Sequence, residues 1–425
     1  MRTRRATFRL KNMAAWLVIM SGVMFTGKLF AAETEQIIFL HYWTGALSGG
    51  INDMVSAFSA IHPEYTVRAT GFEHESFKIS IKVMLAGGNP PDMFSYWAGA
   101  RVQALVKEGY LDAIDDIWAA EKMDERFPAA IGQACTYNGQ KYIIPVTQHY
   151  VALFYNTRIF QQLNLTPPAT WEEFLAACQK IKAAGITPIA LGARDRWPAQ
   201  FWFDYLLLRT AGPEYRQRLM THHAAYTDPE VSAAFSLWKD LISQGYLTTN
   251  PNMLDWSEAA KQLFHGEAAM TLMGTWIIGL FDGQLGWKQG QDYDFFPFPA
   301  VTPEVPGASL GPIDAIAVAK EGKVKAAKTA MVYFSDVEPQ QKMSQGSGAL
   351  SPNMNVPSSF YSDLQQRILD AIRAAPNWAF NYDLATDPDV AELGLNAFAK
   401  FLDQPDAIPA ILKDVEQQKQ KVLPQ

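Results

Sequence analysis

The alternation of strand and helix patterns early in the chain restricts the fold more than any other feature. A run rich in β-branched and aromatic residues, QIIFLHYW (36–43), precedes apolar residues at helical spacing from Ile51 to Ile61. A second strand pattern, YTVRATGF, a second helix pattern and a third strand pattern, DMFSYW, follow. Such alternation predicts an α/β fold with a mainly parallel sheet covered by helices on both faces.

The ends of these three strands carry the first candidate binding residues. Ligands of α/β sheets bind beyond the carboxyl ends of the strands. Trp43 ends the first strand pattern, Glu73 follows the second, and Tyr96 and Trp97 end the third. Neighbouring side chains of a strand point to opposite faces, so Trp97 is the favoured ligand contact and Tyr96 is free to serve the core.

The length of the chain predicts two domains, because 425 residues exceed one hydrophobic core of ordinary size. An Asn-Gly pair between two strand-like runs, TYNGQKYIIPV, indicates a type I′ hairpin, after which a second alternating region begins. A Thr-Trp-Glu-Glu start at Thr170 predicts a capped helix in that region. We assign residues 33–146 and 308–350 to a first lobe, and 147–307 and 351–425 to a second.

The first 32 residues are typical of a secretory signal. A basic segment precedes the uncharged stretch MAAWLVIMSGVMFTG, and small residues near Ala31-Ala32 suit cleavage. An uncleaved membrane anchor is the alternative, but Lys28 interrupts the stretch before the roughly 20 residues that a span needs. Cleavage removes six basic and no acidic residues, leaving 30 against 43, a net charge of −13. A product this acidic is a poor candidate for binding nucleic acid or anionic lipid.

The cysteines and histidines provide no metal or disulfide motif. Cys135 and Cys178 are the two cysteines, and they are free to pair in an oxidising compartment. Cys178 falls on the apolar stripe of a predicted helix, which favours a buried thiol instead. His222 and His223 are adjacent rather than one helical turn apart, so they do not indicate a metal site.

Several segments, in order along the chain, resemble the extracellular solute-binding proteins of family 1, the sugar-binding components of ABC importers. They are FLHYWTG, GGNPPDMFSYWAG, YIIPVTQHYVALFYNTRIFQQLNLTPPATWEEF, LFHGEAAMTLMGTW and GPIDAIAVA. The resemblance implies a two-lobed periplasmic-binding-protein fold of type II, with a ligand held in the interlobe cleft. It also implies a periplasmic protein without catalysis or cofactor that docks on membrane permease subunits; we expect a monomer.

A sugar needs flat apolar platforms for its C–H faces and polar groups for its hydroxyl edge. In the second lobe Trp276 is a candidate platform, since its GTW context matches the family loop. Asp195 and Trp197 precede a predicted helix, an arrangement that suits a ligand wall. Trp378 and Asp383 repeat the pairing of an aromatic ring with a carboxylate.

Further candidates lie where the chain crosses between lobes. Gln148 and His149 either touch ligand or satisfy hinge backbone groups. Asp314 is a charge among apolar neighbours in GPIDAIAVA, and because burying an unpaired carboxylate is costly it requires a ligand or a specific donor. For Glu73 the alternative to ligand binding is a helix-capping or surface carboxylate. Trp118, Trp171, Trp202, Trp238 and Trp256 fit helical core positions.

Two other functions remain open from the sequence. A solute receptor for a polyamine or an anion would have the same fold, although the several tryptophans favour a sugar. A secreted carbohydrate-active enzyme needs two carboxylates at a set separation, and no motif joins any two of the candidates. Hydrolase and phosphate-loop motifs are also missing from the sequence.

Overall fold

The computed structural model describes residues 34–423, and the predicted signal segment lies outside them. The strands are β1 Glu35–His41, β2 Tyr65–Gly71, β3 Met93–Trp97, β4 Thr136–Tyr137, β5 Gln140–Lys141, β6 Ile143–Gln148, β7 Val151–Asn156, β8 Thr187–Ala190, β9 Ala268–Gly274, β10 Tyr293–Phe296, β11 Ala308–Leu310, β12 Ile313–Val318 and β13 Asn377–Ala379. The α-helices are α1 Ser48–Ile61, α2 His74–Ala86, α3 Ala100–Lys107, α4 Asp115–Ala120, α5 Ala129–Ala134, α6 Thr157–Gln162, α7 Trp171–Ala183, α8 Trp197–Thr210, α9 Gly212–Met220, α10 Pro229–Ser243, α11 Trp256–His265, α12 Val324–Phe334, α13 Val337–Ser347, α14 Asp363–Ala374, α15 Tyr382–Ala385, α16 Pro388–Asp403 and α17 Ile408–Val422.

The first lobe is built on a five-stranded sheet in the order β2-β1-β3-β12-β6. β1 pairs in parallel with β2 and β3, as the strand–helix alternation predicts. β12 is antiparallel to both β3 and β6, so the expectation of a mainly parallel sheet is wrong for this half. The reason is topological, since β12 returns from the second lobe and β6 leaves toward it.

The second lobe contains a four-stranded sheet in the order β10-β7-β9-β8. β7 is antiparallel to β9 and β10, and β8 is parallel to β9. The sequence run 148–156 reads as one long strand, but it is broken at His149-Tyr150 between β6 and β7. This break lies where the chain passes from one sheet to the other.

Three crossings join two separate hydrophobic cores. Residues up to Val146 pack in the first core, and packing resumes in the second at Tyr150. The chain returns between Leu310 and Ile313, and it leaves again between Met343 and Leu350. Residues 308–310 pair with β13 in the second lobe, and residues 147–148 stay in the first sheet.

Local signals in the sequence are confirmed. Asn138 and Gly139 adopt φ values of 50° and 81°, as a type I′ turn between β4 and β5 requires. Thr170 and Glu173 form a reciprocal capping box at the start of α7. Cys135 and Cys178 are both buried free thiols, one in each core, so they do not pair.

Candidate ligand-binding site

A cavity of about 180 Å³ lies between the lobes, beyond the carboxyl ends of β1 and β3. On its first-lobe side, Trp97 at the end of β3 stacks on Tyr42, with ring centroids 4.0 Å apart and planes 14° apart. His74, at the start of α2, meets the Trp97 ring edge-on at 4.8 Å. Burial and the nearby Lys78 lower the pKa of His74, which keeps its ring neutral near pH 7. Three aromatic rings, those of Tyr42, His74 and Trp97, therefore line this side of the cavity.

The opposite wall belongs to the second lobe and is also aromatic. Trp197 at the start of α8 and Trp276 after β9 meet edge-to-face with centroids 5.7 Å apart, and Phe201 supports both rings. Gly274 makes this arrangement possible. A Cβ at Gly274 would lie closer than 3.0 Å to three ring carbons of Trp276, so only glycine lets the indole fold back over the strand end. The glycine of the Gly-Thr-Trp sequence thus allows the Trp276 indole to lie in the cleft.

Asp314, on β12, is the best-anchored carboxylate of the cavity. Its Oδ2 accepts hydrogen bonds from Trp43 Nε1 at 3.3 Å and Thr147 Oγ1 at 2.9 Å, and lies 3.3 Å from His149 Nε2. Burial alone would raise the pKa of Asp314, but these contacts, chiefly with His149, outweigh it and lower the pKa. Within the described chain no hydrogen bond reaches Oδ1. The carboxylate is therefore held by one oxygen and leaves the other for a donor.

His149 links this carboxylate to the second lobe. Its Nδ1 lies 2.9 Å from Thr275 Oγ1, and its ring meets Trp276 edge-on at 5.2 Å. Because His149 occupies the first crossing between the sheets, it connects Asp314 of one lobe to the Trp276 loop of the other.

Asp383 joins the lobes at another side of the cavity. Its Oδ2 accepts a hydrogen bond from Arg101 of α3 at 3.1 Å, and both side chains are buried. Its backbone N–H donates to Gln200 Oε1 on α8 at 2.9 Å. Gly99, just before α3, approaches the Leu384 carbonyl so closely that a Cβ would lie within 3.0 Å of it. The Arg101–Asp383 pair and the approach of Gly99 to Leu384 therefore join the two lobes beside the cavity.

Glu73 and Asp195 differ in how they are engaged. Glu73 caps α2, accepting hydrogen bonds from the N–H groups of Glu75 and Ser76 at 2.9 Å each, although it also borders the cavity. Asp195 has no hydrogen-bond donor in the described chain, and its closest cation is Arg194 Nε at 4.0 Å. Burial, followed by the negative charge of Glu75, raises the pKa of Asp195. The Asp195 side chain is 27% exposed, so its carboxylate is free to accept a hydrogen bond from a ligand in the cavity.

One uncharged polar atom in the wall also lacks a partner. Asn381 Oδ1 has no hydrogen-bond partner among residues 34–423, and Asn381 is at least nine-tenths buried. The hydroxyl of Tyr42, which is equally buried, lies near the Asp314 carboxylate, and burial followed by the charge of Asp314 raises the pKa of Tyr42. Unsatisfied buried polar atoms cost about 1–3 kcal/mol each, so they indicate a polar ligand or water in the space they border.

The structure brings most of the sequence-predicted residues together. The eight that border the cavity are Glu73, Trp97, His149, Asp195, Trp197, Trp276, Asp314 and Asp383.

The structure places four others elsewhere. Trp43 is buried in the first core and acts on the cavity only through its bond to Asp314, because its ring turns back against Phe39. Tyr96 points to the opposite face of β3 from Trp97 and packs against Phe94. Gln148 and Trp378 border a second, larger groove.

Sequence reasoning missed several cavity residues. Trp256 was expected in the core but is half-buried at the first turn of α11 and faces the cavity. The Asp255–Glu258 capping box places this residue at a helix start, the same signal that marks Trp197. Gln200 and Asn381 carry no such signal, because their positions follow from the packing of α8 against residues 380–383.

No helix within residues 34–423 has the length and apolar character that crossing a membrane requires. Nor do three or more His, Cys, Asp or Glu side chains converge on a metal-sized site in this range.

Two α/β lobes joined by three crossings, with an aromatic cavity between them, define a two-lobed solute-binding protein. The sequence pattern of the bacterial extracellular solute-binding protein family matches residues 44–341, and the chain belongs to this family. It is 28% identical, over 81% of its length and 77% of the relative, to an uncharacterized ABC transporter extracellular-binding protein of Pyrococcus horikoshii. It is 27% identical to a probable sugar-binding periplasmic protein of Mesorhizobium japonicum, over 63% of this chain and 64% of the relative.

Solved structures share the whole architecture. The bacterial solute receptor AcbH, described as having an exclusive substrate preference for β-D-galactopyranose, superimposes with a TM-score of 0.85. The two chains are 27% identical, and the match covers 92% of this chain and 99% of AcbH. A chitin oligosaccharide binding protein matches with a TM-score of 0.83 at 23% identity, over 91% of this chain and 98% of the other, which shows a shared fold.

Proposed function

We propose that this protein captures a sugar in the cavity between its lobes. The observation that carries the proposal is the pairing of aromatic walls on both sides, Trp97 with Tyr42 and Trp276 with Trp197, around polar atoms that lack partners. Aromatic faces suit the C–H surfaces of a sugar ring, and carboxylate and amide oxygens suit its hydroxyl edge. The sugar specificities described for relatives agree with this chemistry.

Capture proceeds by closure of the lobes about the three crossings. A ligand shifts a hinge equilibrium only through better contacts in the closed state. Here those contacts come from both lobes, since Trp97 and Asp314 belong to the first and Asp195 and Trp276 to the second. Micromolar affinity requires about −8 kcal/mol net, which a few stacked and hydrogen-bonded contacts in a desolvated site supply.

The site is arranged for binding rather than for catalysis. A glycosidase needs one carboxylic acid and one carboxylate free to act on either side of the scissile bond. Three of the four cavity carboxylates are engaged, Asp314 by His149, Asp383 by Arg101 and Glu73 by the α2 N-terminus. Asp195 remains without an equivalent partner, so we assign no catalytic pair.

The wider role follows from the family. We propose that the chain is exported to the periplasm through its N-terminal segment, cleaved near Ala31-Ala32, and works as a monomer. In its closed form it would deliver the sugar to the permease subunits of an ABC importer, as the description of the Pyrococcus relative suggests.

A thermal-shift screen tests the proposal. The protein starting at residue 33 is heated alone and with mono- and oligosaccharides, spermidine or sulfate. A ligand at 100 times its dissociation constant stabilises the folded state by about 2.7 kcal/mol, which raises the melting temperature by a few degrees. We expect a sugar to produce this shift. A shift with spermidine or sulfate and none with any sugar would overturn the proposal, and turnover of a saccharide by the pure protein would restore the enzyme alternative.

A further inference from the structure

The space between the lobes is divided into two cavities of very different size. The cavity that carries the aromatic walls has a volume of about 180 Å³, and we call it the chamber. A groove of about 1520 Å³ also lies between the lobes, bordered by Tyr137 and Gln148 of the first and by Leu208 and Tyr215 of the second. Leu384 borders both.

Residues 377–385, which we call the partition segment, form the wall between them. Trp378 and Phe380 line the groove, whereas Asn381 and Asp383 line the chamber. The first part of the segment, residues 377–380, thus borders the groove, and Asn381 and Asp383 after it border the chamber. A ligand extending from the chamber into the groove would have to displace it.

The partition segment is fixed from the second lobe. The N–H of Tyr382 donates to Asp204 Oδ2 at 2.7 Å, and Arg216, itself paired with Asp204 at 2.6 Å, donates to the Phe380 carbonyl at 2.6 Å. Both Asp204 and Arg216 are buried. Separating the segment from Asp204 and Arg216 would leave buried polar groups unpaired, which is costly, so these contacts favour the observed position of the segment.

The segment also closes against the first lobe. Arg101 pairs with Asp383, and the Leu384 carbonyl lies against Gly99, whose φ of 112° and lack of a side chain permit the approach. The chamber is therefore sealed toward the groove by contacts from both lobes.

The volume and charge of the chamber limit what it holds. Pockets for drug-sized ligands are about 300–1,000 Å³, so 180 Å³ suits one sugar ring and leaves no room for a second. Four carboxylates border it, Glu73, Asp195, Asp314 and Asp383, and they outnumber the two cations beside them, the ammonium of Lys78 and the Arg101 guanidinium that pairs with Asp383. Like charges brought together in a closed site disfavour binding, so an anionic sugar is a poor ligand.

The inference that follows rests on the proposed function. We propose that the chamber binds a single uncharged monosaccharide, and that the partition segment excludes longer saccharides. The relatives include both single-sugar and oligosaccharide receptors, so family membership does not decide the length of the ligand.

Isothermal titration calorimetry tests this selectivity. The probes are D-glucose, D-galactose, D-mannose, D-xylose and L-arabinose, disaccharides of each, and D-glucuronate and D-galacturonate. We expect one neutral monosaccharide to bind at least about 100-fold more tightly than any disaccharide or uronate. A disaccharide or uronate that binds as tightly refutes the inference while leaving sugar binding intact. If no saccharide binds, the proposed function itself fails.

A variant pair tests the role of the partition segment. Leu384→Ala removes the side chain that borders both cavities, and we expect the preference for monosaccharide over disaccharide to fall at least about tenfold. Leu369→Ala, which widens the groove alone, should leave the preference unchanged. Melting temperatures establish that both variants fold. If Leu384→Ala keeps the preference for monosaccharide, or if Leu369→Ala loses it equally, then the partition segment does not set the length of the ligand. If Leu384→Ala does not fold, the affinities of the wild type for mono- and disaccharides decide whether the inference holds.

Discussion

Replacing Gly274 by alanine should remove a ligand platform without altering any residue that the ligand touches. Three ring carbons of Trp276 lie closer than 3.0 Å to the position of the new Cβ, and ordinary contacts begin at 3.4 Å. The indole must therefore shift by more than about 1 Å, which disrupts its packing on Trp197, Phe201 and His149. The displaced indole no longer stacks on the sugar, and at about 0.5–1.5 kcal/mol for one aromatic contact the sugar affinity should fall by about 2- to 12-fold, while the lost ring pairs lower the stability of the protein.

Calorimetry with the best sugar measures this loss, and Gly283→Ala is the matched control. Gly283 lies in the same lobe, and a Cβ there would have no atom within 4 Å. We expect Gly283→Ala to bind like the wild type. If Gly274→Ala also keeps wild-type affinity, then the orientation of Trp276 does not matter for binding and the reasoning fails.

Three further predictions concern charge and pH. Arg101→Gln leaves Asp383 buried without its cation, which costs about 3–5 kcal/mol in the closed form. Since the pair joins the lobes, calorimetry should show weaker sugar binding. The melting temperature of the ligand-free protein should change less than a loss of about 3–5 kcal/mol would produce. Asp314→Asn keeps an oxygen that can accept from Trp43 and Thr147 but removes the negative charge that strengthens these bonds and attracts His149, so the urea midpoint should fall at pH 7 by an amount that corresponds to about 1–2 kcal/mol. In the wild type the contribution of Asp314 to the free energy of unfolding should persist above pH 3.8 and disappear as the pH falls through its lowered pKa. A urea midpoint that Asp314→Asn does not change would contradict the anchoring role of this carboxylate. Burial lowers the pKa of His41 from 6.5 to about 4, so between these pH values the unfolded chain binds a proton that the folded chain does not bind. The free energy of unfolding should therefore rise by up to about 3 kcal/mol from pH 4 to 6.5. In urea titrations, His41→Gln should reduce this rise.

The parts of the fold that were predictable are those set by local signals. The strand–helix alternation around β1, β2 and β3 reproduces the parallel half of the first sheet, and the Asn138-Gly139 turn and the Thr170 cap are where the sequence places them. The direction of β12 was not predictable, because its antiparallel pairing depends on where the chain re-enters the first lobe rather than on its own residues.

The site shows the same division. Strand-end position and alternation separate Trp97, in the chamber wall, from Tyr96, in the core. Alternation offers no guide for Trp43, which lies beyond the end of β1 and turns back to donate to Asp314. The sequence offers Trp378 and Asp383 as candidate ligand contacts from the same short segment, but Trp378 borders the groove and Asp383 borders the chamber. This difference depends on tertiary packing, and no local sequence pattern indicates it.

The most direct test of the account compares the two cavities by calorimetry with the best sugar. Trp276→Ala alters the chamber, and Trp378→Ala alters the groove. We predict that Trp276→Ala lowers affinity at least about 30-fold and that Trp378→Ala leaves it within about threefold of the wild type. The reverse result, with binding lost in Trp378→Ala and retained in Trp276→Ala, would place the ligand in the groove and contradict the central claim.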